Sequence, residues 1–180
     1  MVMPLRTEHT VVTYTLDDHP DPQACIDWVR HNWHDMYSWG EENVAALEAF
    51  CDYFDLQDMD YSVSLCSHSY ACASVWLDDD GEDVVGLLLY QHLLSVGVPE
   101  WDCPFTGYYI DDVLLRPIRD FMAKPQLLLV TFQQLVDECL SAWVSAYIAD
   151  WEYAYSDEAI RETCEANEYQ FTESGEFYSN

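Results

Sequence analysis

Basic residues are scarce in this 180-residue sequence, which has six Lys and Arg against 34 Asp and Glu and a formal net charge of −28. Between Arg30 and Arg116 lie 85 consecutive residues without a Lys or Arg, and 17 of them are acidic. A charge this far from zero opposes the compact state by self-repulsion and repels nucleic acids and anionic membranes. Direct binding to either is therefore not expected, and a protein partner should be basic.

Long apolar runs are also missing. None approaches the ~20 residues of a membrane span, and the N-terminal MVMPLRTEHT has no apolar signal-peptide core. The seven cysteines are odd in number, and without a leader we expect them to be reduced and to pack as small apolar side chains. These absences predict a cytoplasmic protein.

Apolar material is nevertheless abundant. Half of the residues are hydrophobic and 15% are aromatic, which is enough for a folded core. The length fits one domain, 1–180. We predict an α+β fold that is helix-rich, with a small antiparallel sheet and a central long apolar helix.

Periodicity and cap residues place the elements. Helices are predicted over 22–39, 41–55, 84–96, 110–122, 125–156 and 157–169, a strand over 9–16, two short strands within 60–76, and a closing hairpin about Ser174–Gly175. The expected cap residues are Asp21 with Pro22, Gly40 at the end of the first helix, Gly97, and Ser156. The segment 125–156 is apolar enough to predict the central core helix.

The short motifs of common enzymes are absent. There is no G-x-S-x-G, Walker A, dinucleotide-binding or H-E-x-x-H pattern. HNWH (31–34) places two histidines three apart beside Asp35, a spacing that suits an acid–base or ligand pair but also an exposed helix face. We therefore expect no enzyme and no catalytic residues.

Metal motifs are incomplete. With Gly81 as the glycine of an EF-hand loop, the first ligand would be Trp76 and the last Leu87, so the pattern fails. A zinc site could draw on three neighbouring residues of the middle segment, Cys66, His68 and Cys72. These lack the paired cysteine spacing of structural zinc sites. No metal and no cofactor are predicted, although a looser cation site at 78–83 stays open.

Carboxylates are concentrated in groups along the chain. Residues four apart on a helix are separated by ~6 Å, and DNA carries one charge per ~1.7 Å of axis, so helical acids can present charge at phosphate-like intervals. The predicted partner-binding residues are Asp52, Asp55, Asp58, Asp60, Asp78, Asp79, Asp80, Glu82, Asp83, Asp111, Asp112, Glu158, Glu162 and Glu165.

The stretch WLDDDGEDVVG (76–86) is the densest of these groups. Glu82 and Asp83 are expected at the N-terminus of the helix that follows, where the helix dipole favours negative charge. No structural role is evident for 78–80, so we assign those three aspartates to partner binding.

This chain carries the N-terminal segments TYTLDD and ACIDWVRHNWHD, a middle segment of alternating small and aromatic residues, and the closing segment ANEYQFTESGEFY. Together they resemble a family of small acidic proteins encoded by bacteriophages and prophages. Many members carry a Gln-Gly-Asp-Gly turn where CSHSYACA stands here, so no role of that turn is transferred to 67–71. The resemblance implies an accessory protein of the host bacterial cytoplasm and supplies no catalytic residues.

Charge and resemblance together predict a nucleic-acid mimic that inhibits a host defence nuclease or complex of the restriction, CRISPR or RecBCD type by binding its basic channel. One alternative is a metal-dependent enzyme or cation-binding protein that uses the acidic clusters. Another is an acidic globular protein of halophile type without mimicry. The oligomeric state stays open, a homodimer included.

Overall fold

Six helices and one two-stranded antiparallel sheet make up the described part of the chain. The computed structural model describes residues 11–36, 40–75, 84–124 and 129–179, with the backbone alone at 33–36. In chain order the elements are α1 (Pro22–Met36), α2 (Glu41–Tyr53), β1 (Gln57–Ser62), β2 (Tyr70–Ser74), α3 (Gly86–Val96), α4 (Ile110–Ala123), α5 (Phe132–Ala154) and α6 (Asp157–Ala166). The helix-rich α+β fold is thereby confirmed.

The residues divide into two compact units, Met1–Trp39 with Glu152–Asn180, and Gly40–Trp151. In the first unit, apolar side chains of α1 and α6 form a core with Leu16 and Phe171. Tyr14 and Phe171 exchange two backbone hydrogen bonds of 2.9 and 2.8 Å. The predicted single domain over 1–180 stays a prediction.

The predicted caps of this first unit are confirmed. The Asp21 carboxylate accepts a hydrogen bond from the backbone N–H of Ala24 at 3.3 Å, and Pro22 is the first residue of α1. The Ser156 hydroxyl accepts from the N–H of Ala159 at 3.2 Å. The closing turn has Gly175 at φ 83°, where an added Cβ would lie 3.0 Å from the backbone of Ala24. Glycine is therefore required there for both conformation and space.

The second unit has the larger core, built from α2, α3, α4, α5 and the hairpin of β1 and β2. Trp143 is fully buried, and its indole N–H donates to the backbone oxygen of Asn43 at 2.8 Å. Gly40, at φ 83°, lies so close to the Tyr147 ring that a Cβ would overlap it. Gly97 ends α3 in the left-handed conformation, as predicted.

Several boundaries differ from the predictions. Residues 11–16 form an isolated bridge, Tyr14 with Phe171, instead of a strand, and residues 9 and 10 of the predicted strand lie outside the described residues. Gly40 directly precedes α2, and residues 37–39, where the predicted end of the first helix falls, lie outside the described residues. The helix α3 begins at Gly86 instead of at residue 84, because Val85 pairs with Thr131 in a bridge, and Glu82 and Asp83 lie outside the described residues.

The central helix is the largest correction. α5 is 23 residues long, but its buried side chains end at Trp143, and the turns beyond it are half-buried or exposed. The later turns owe their apolar appearance to Trp and Tyr, whose polar atoms favour half-buried positions. A long apolar helix is therefore not supported. Within the described residues, none of the helices combines the length and the apolar character that crossing a bilayer demands.

Candidate functional site

The C-terminus of α2 carries two exposed carboxylates in an unfavourable setting. The N–H of Leu56 donates to the oxygen of Cys51 at 2.9 Å, and the N–H of Asp55 donates to that of Asp52 at 3.3 Å. This is the Schellman arrangement, in which the residue after the cap takes the left-handed conformation and is usually glycine. Here that residue is Asp55, at φ 53°.

The C-terminus of α6 repeats the arrangement. The N–H of Tyr169 donates to the oxygen of Cys164 at 2.9 Å, and the N–H of Glu168 donates to that of Glu165 at 3.1 Å. Glu168 occupies the left-handed position at φ 52°. Glu165 and Glu168 are exposed, as are Asp52 and Asp55. We call these two pairs, Asp52 with Asp55 and Glu165 with Glu168, the acidic helix ends.

Two physical effects oppose carboxylates at these positions. A residue with a Cβ costs ~1–2 kcal/mol in the left-handed conformation, although Asp adopts it more readily than Glu. The C-terminus of a helix also carries partial negative charge, which favours cations. Neither α2 nor α6 has a basic residue in its last turn. The acidic helix ends therefore oppose the stability of the fold.

A third left-handed acid lies in the hairpin. The register of β1 and β2 shifts between Gln57 and Asp60, which inserts one extra residue into β1. Asp58 stands in this bulge at φ 53°, a conformation for which glycine is favoured. Asp60 is also exposed and accepts a hydrogen bond from the Tyr70 hydroxyl at 2.8 Å, which raises the pKa of that tyrosine. In the described part of the chain, neither aspartate forms an ion pair with a basic residue.

The exposed side of α6 extends the charge of its acidic end. Glu158, Glu162 and Glu165 are spaced by four and three residues, so they follow one another along one side of the helix. All three are exposed, and Glu162 accepts from the Tyr153 hydroxyl at 3.2 Å. The spacing gives a carboxylate roughly every 5–6 Å along the helix axis.

The ion pairs of the described residues do not involve the acidic helix ends. Arg30 pairs with Asp27 and Asp157 and donates to the backbone oxygen of Tyr155, so it is engaged at the start of α6. Arg119 pairs with Asp112 at 3.0 Å. Neither arginine forms an ion pair with an acidic helix end.

The carboxylates also act on the buried cysteines next to them. Burial, together with Asp52 and Glu48, raises the pKa of Cys51 to about 11. Burial likewise raises the pKa of Cys164 to about 11, with a contribution from Glu165. Both thiols therefore stay protonated at neutral pH, which disfavours nucleophilic or ligand roles.

Among the predicted partner-binding residues that the structure describes, only Asp111 lies in the interior. It is 0% exposed and accepts hydrogen bonds from the backbone N–H groups of Phe105, Thr106 and Gly107. Its assignment to a binding surface is therefore wrong, because its carboxylate organises the loop before α4. Asp112 is half-buried, and the N–H of Cys103 and the guanidinium of Arg119 hold its pKa below the usual range.

The other predicted candidates are placed as follows. Asp52, Asp55, Asp58, Asp60, Glu158, Glu162 and Glu165 are exposed, whereas Asp78, Asp79, Asp80, Glu82 and Asp83 lie outside the described residues. The zinc candidates are exposed in or beside the hairpin. Among the residues described, no three His, Cys, Asp or Glu side chains come together in a way that could hold a metal ion.

Glu168 was not among the predicted residues, although the sequence carries a signal for it. The stretches CDYFDL (51–56) and CEANEY (164–169) share a buried cysteine, acids one and four positions later, and then an apolar or aromatic residue. This is the Schellman pattern with the usual glycine replaced by an acid. The repeated substitution could have identified both acidic helix ends.

Replacing these acids with glycine should stabilise the protein. Asp55→Gly is expected to raise the free energy of unfolding by about 0.5–1 kcal/mol, and Glu168→Gly by somewhat more, because glutamate tolerates the left-handed region less well. Urea unfolding followed by tryptophan fluorescence measures both. Glu48→Gly is the matched control, since Glu48 is exposed inside α2 and its loss should destabilise by about 1 kcal/mol. Destabilisation by the first two variants would contradict the assignment of strain.

Comparisons with known proteins add no family. No family model matches the chain, and neither curated proteins nor solved structures give a match. The function has to be argued from the chemistry of the acidic surface itself.

Proposed function

We propose that the protein is a nucleic-acid mimic that inhibits a nucleic-acid-binding protein or complex by occupying its basic channel. The partner class is a host defence nuclease or complex of the restriction, CRISPR or RecBCD type. The inhibitor acts by stoichiometric binding and carries out no reaction. The resemblance to phage and prophage accessory proteins supports the host context of the proposal.

The observation that carries the proposal is the acidic helix ends. Asp55 and Glu168 stand where glycine would be more stable, and both lie at helix termini that favour cations. A carboxylate that opposes folding in two separate places needs another reason to be there. Binding a cationic surface supplies that reason, because the unfavourable charge is neutralised in the complex.

The wider surface supports the same interpretation. In the first unit, exposed acids follow one another along α6, and in the second unit, other exposed acids run from α2 into the β1 bulge. Phosphate groups are presented to a DNA-binding protein in a similar way, as closely spaced negative charges that its Lys and Arg residues contact. A channel built for a polyanion would attract this surface at long range and speed its association.

Competition with DNA tests the proposal. The protein should inhibit at least one purified restriction endonuclease, CRISPR effector or RecBCD-type nuclease, and duplex DNA should displace it from that target. Affinity should fall at least about tenfold between roughly 50 and 200 mM NaCl, because charge contacts are screened. Fluorescence anisotropy of the labelled protein measures both effects.

Two results would count against mimicry. Binding that duplex DNA leaves unchanged would place the contact outside the nucleic-acid channel. An affinity that is constant over this salt range would assign the binding to apolar contacts.

A further inference from the structure

The helix α3 presents an exposed apolar face without charge. Gly86–Val96 contains no Asp, Glu, Lys or Arg, whereas every other helix among the described residues contains at least one of them. Leu89 and Leu93 are buried in the core, but Leu87 and Leu88 are 63% and 65% exposed, and Leu94 is 53% exposed. An apolar helix would normally bury such residues, and no described part of the chain covers this face.

The exposed leucines lie together on the helix. Leu87 and Leu94 are seven residues apart and therefore follow the same side, with Gln91 between them and Leu88 at the flank. The N-terminus of α3 lies beside Val130, since the backbone nitrogen of Gly86 is 3.5 Å from the oxygen of Val130. Leu129, next to it, is 93% exposed. These residues form one apolar surface at and beside α3.

We propose that this surface pairs with the same surface of a second copy, in a two-fold symmetric homodimer with the two α3 helices antiparallel. Each copy carries a charge of −28, so two copies repel each other wherever carboxylates meet. The helix α3 itself brings no carboxylate to a contact between two copies. A two-fold contact sets the same patch against itself, leucine against leucine, and antiparallel helix dipoles attract.

Charge also argues against a basic partner on this face. A cationic partner bound at α3 would be away from the carboxylates that attract it. Its charges would also lose their hydration against leucine side chains, which is unfavourable. The proposed dimer uses none of the residues of the acidic helix ends, and its validity does not depend on the proposed inhibition.

Size and charge set the strength of the dimer. A stable interface buries about 800 Å² on each partner, and a surface of three α3 leucines with Leu129 is at the lower end of this range. We expect a weak dimer that forms with rising protein concentration. Added salt should strengthen it, because screening reduces the repulsion between two copies. Binding to a basic target should respond to salt in the opposite direction.

Sedimentation velocity on the full chain tests the dimer. The protein should shift toward the dimer as its concentration rises, and the apparent dissociation constant should fall several-fold between roughly 50 and 500 mM NaCl. Leu88→Asp and Leu94→Asp should each weaken association at least about tenfold, because a charge would be buried opposite its own copy. Amide exchange in Gly86–Val96 should slow at high concentration.

Leu65→Asp is the matched control, because Leu65 is 44% exposed in the turn between β1 and β2 and lies outside the proposed interface. It adds the same charge and should leave association unchanged. Leu88→Gln, which adds no charge, gives the same readout if an aspartate variant unfolds. A protein that stays monomeric at every concentration and salt would overturn the proposal. Equal association by wild type and both α3 variants, or equal loss in the Leu65 variant, would also overturn it.

Discussion

Replacing Asp111 with alanine should destabilise the protein by about 3–5 kcal/mol. Its buried carboxylate accepts from the N–H groups of Phe105, Thr106 and Gly107 at 2.9, 2.7 and 3.2 Å, and from the Thr106 hydroxyl at 2.9 Å. Alanine would leave three backbone donors without the acceptor that the fully buried carboxylate supplies. Each such donor costs about 1–3 kcal/mol when it stays unpaired, and partial relaxation of the loop keeps the sum below the maximum.

Urea unfolding followed by tryptophan fluorescence measures this loss. Asp111→Asn keeps one oxygen acceptor but removes the charge, so its loss should be smaller than that of alanine. Asp120→Ala, at an exposed position of the same helix, should change the free energy of unfolding by no more than about 0.5 kcal/mol. A loss below about 1 kcal/mol in Asp111→Ala would show that the loop does not depend on this carboxylate.

Local signals in the sequence were sufficient for much of the fold. Asp21 with Pro22 and Ser156 predicted two helix starts, and Gly97 predicted a helix end, because each feature acts within one turn of backbone. The alternation of small and apolar residues within 60–76 predicted the hairpin of β1 and β2 for the same reason. Interactions of this range are visible without knowledge of the tertiary structure.

It was harder to predict from the sequence which residues are buried. Asp111 and Asp112 are adjacent acids in the first turn of α4, a position where exposed acids are common, and nothing in the pair distinguishes them. The loop that folds over Asp111 decides the difference, and it depends on tertiary packing. The later turns of α5 were overestimated as core because tyrosine and tryptophan count as apolar in a pattern but occupy half-buried positions here.

The sequence predicted the negative charge of the candidate site but not the left-handed backbone conformation of its residues. Exposed acids at Asp52, Asp55 and along α6 follow from composition, since so many carboxylates must lie outside the core. Their left-handed backbone does not follow from composition, because an acid in the glycine position of a helix end is uncommon. That conformation is what separates carboxylates with no structural benefit from the rest of the acidic surface.

Neutralising the acids of α2 and the hairpin together should weaken target binding by about 30- to 100-fold. The variant changes four residues to asparagine, Asp52, Asp55, Asp58 and Asp60. Asparagine keeps the size of the side chain and tolerates the left-handed conformation at least as well as aspartate, so the fold is retained. Most of the loss should be a slower association rate, because removing four charges weakens long-range attraction.

Surface plasmon resonance against an inhibited target separates the association rate from the dissociation rate, and thermal unfolding should show equal or higher stability because repulsion is relieved. The matched control removes four exposed charges elsewhere in the same unit, by changing Glu100, Asp102, Asp120 and Asp137 to the corresponding amides. That control carries the same net charge, so a general field effect would slow both variants equally. If the control bound the target as weakly as the variant, total charge would drive recognition, and not the acidic end of α2 with the β1 bulge. An unchanged affinity in the variant would place the binding surface elsewhere, with the acids of α6 as the next set to neutralise.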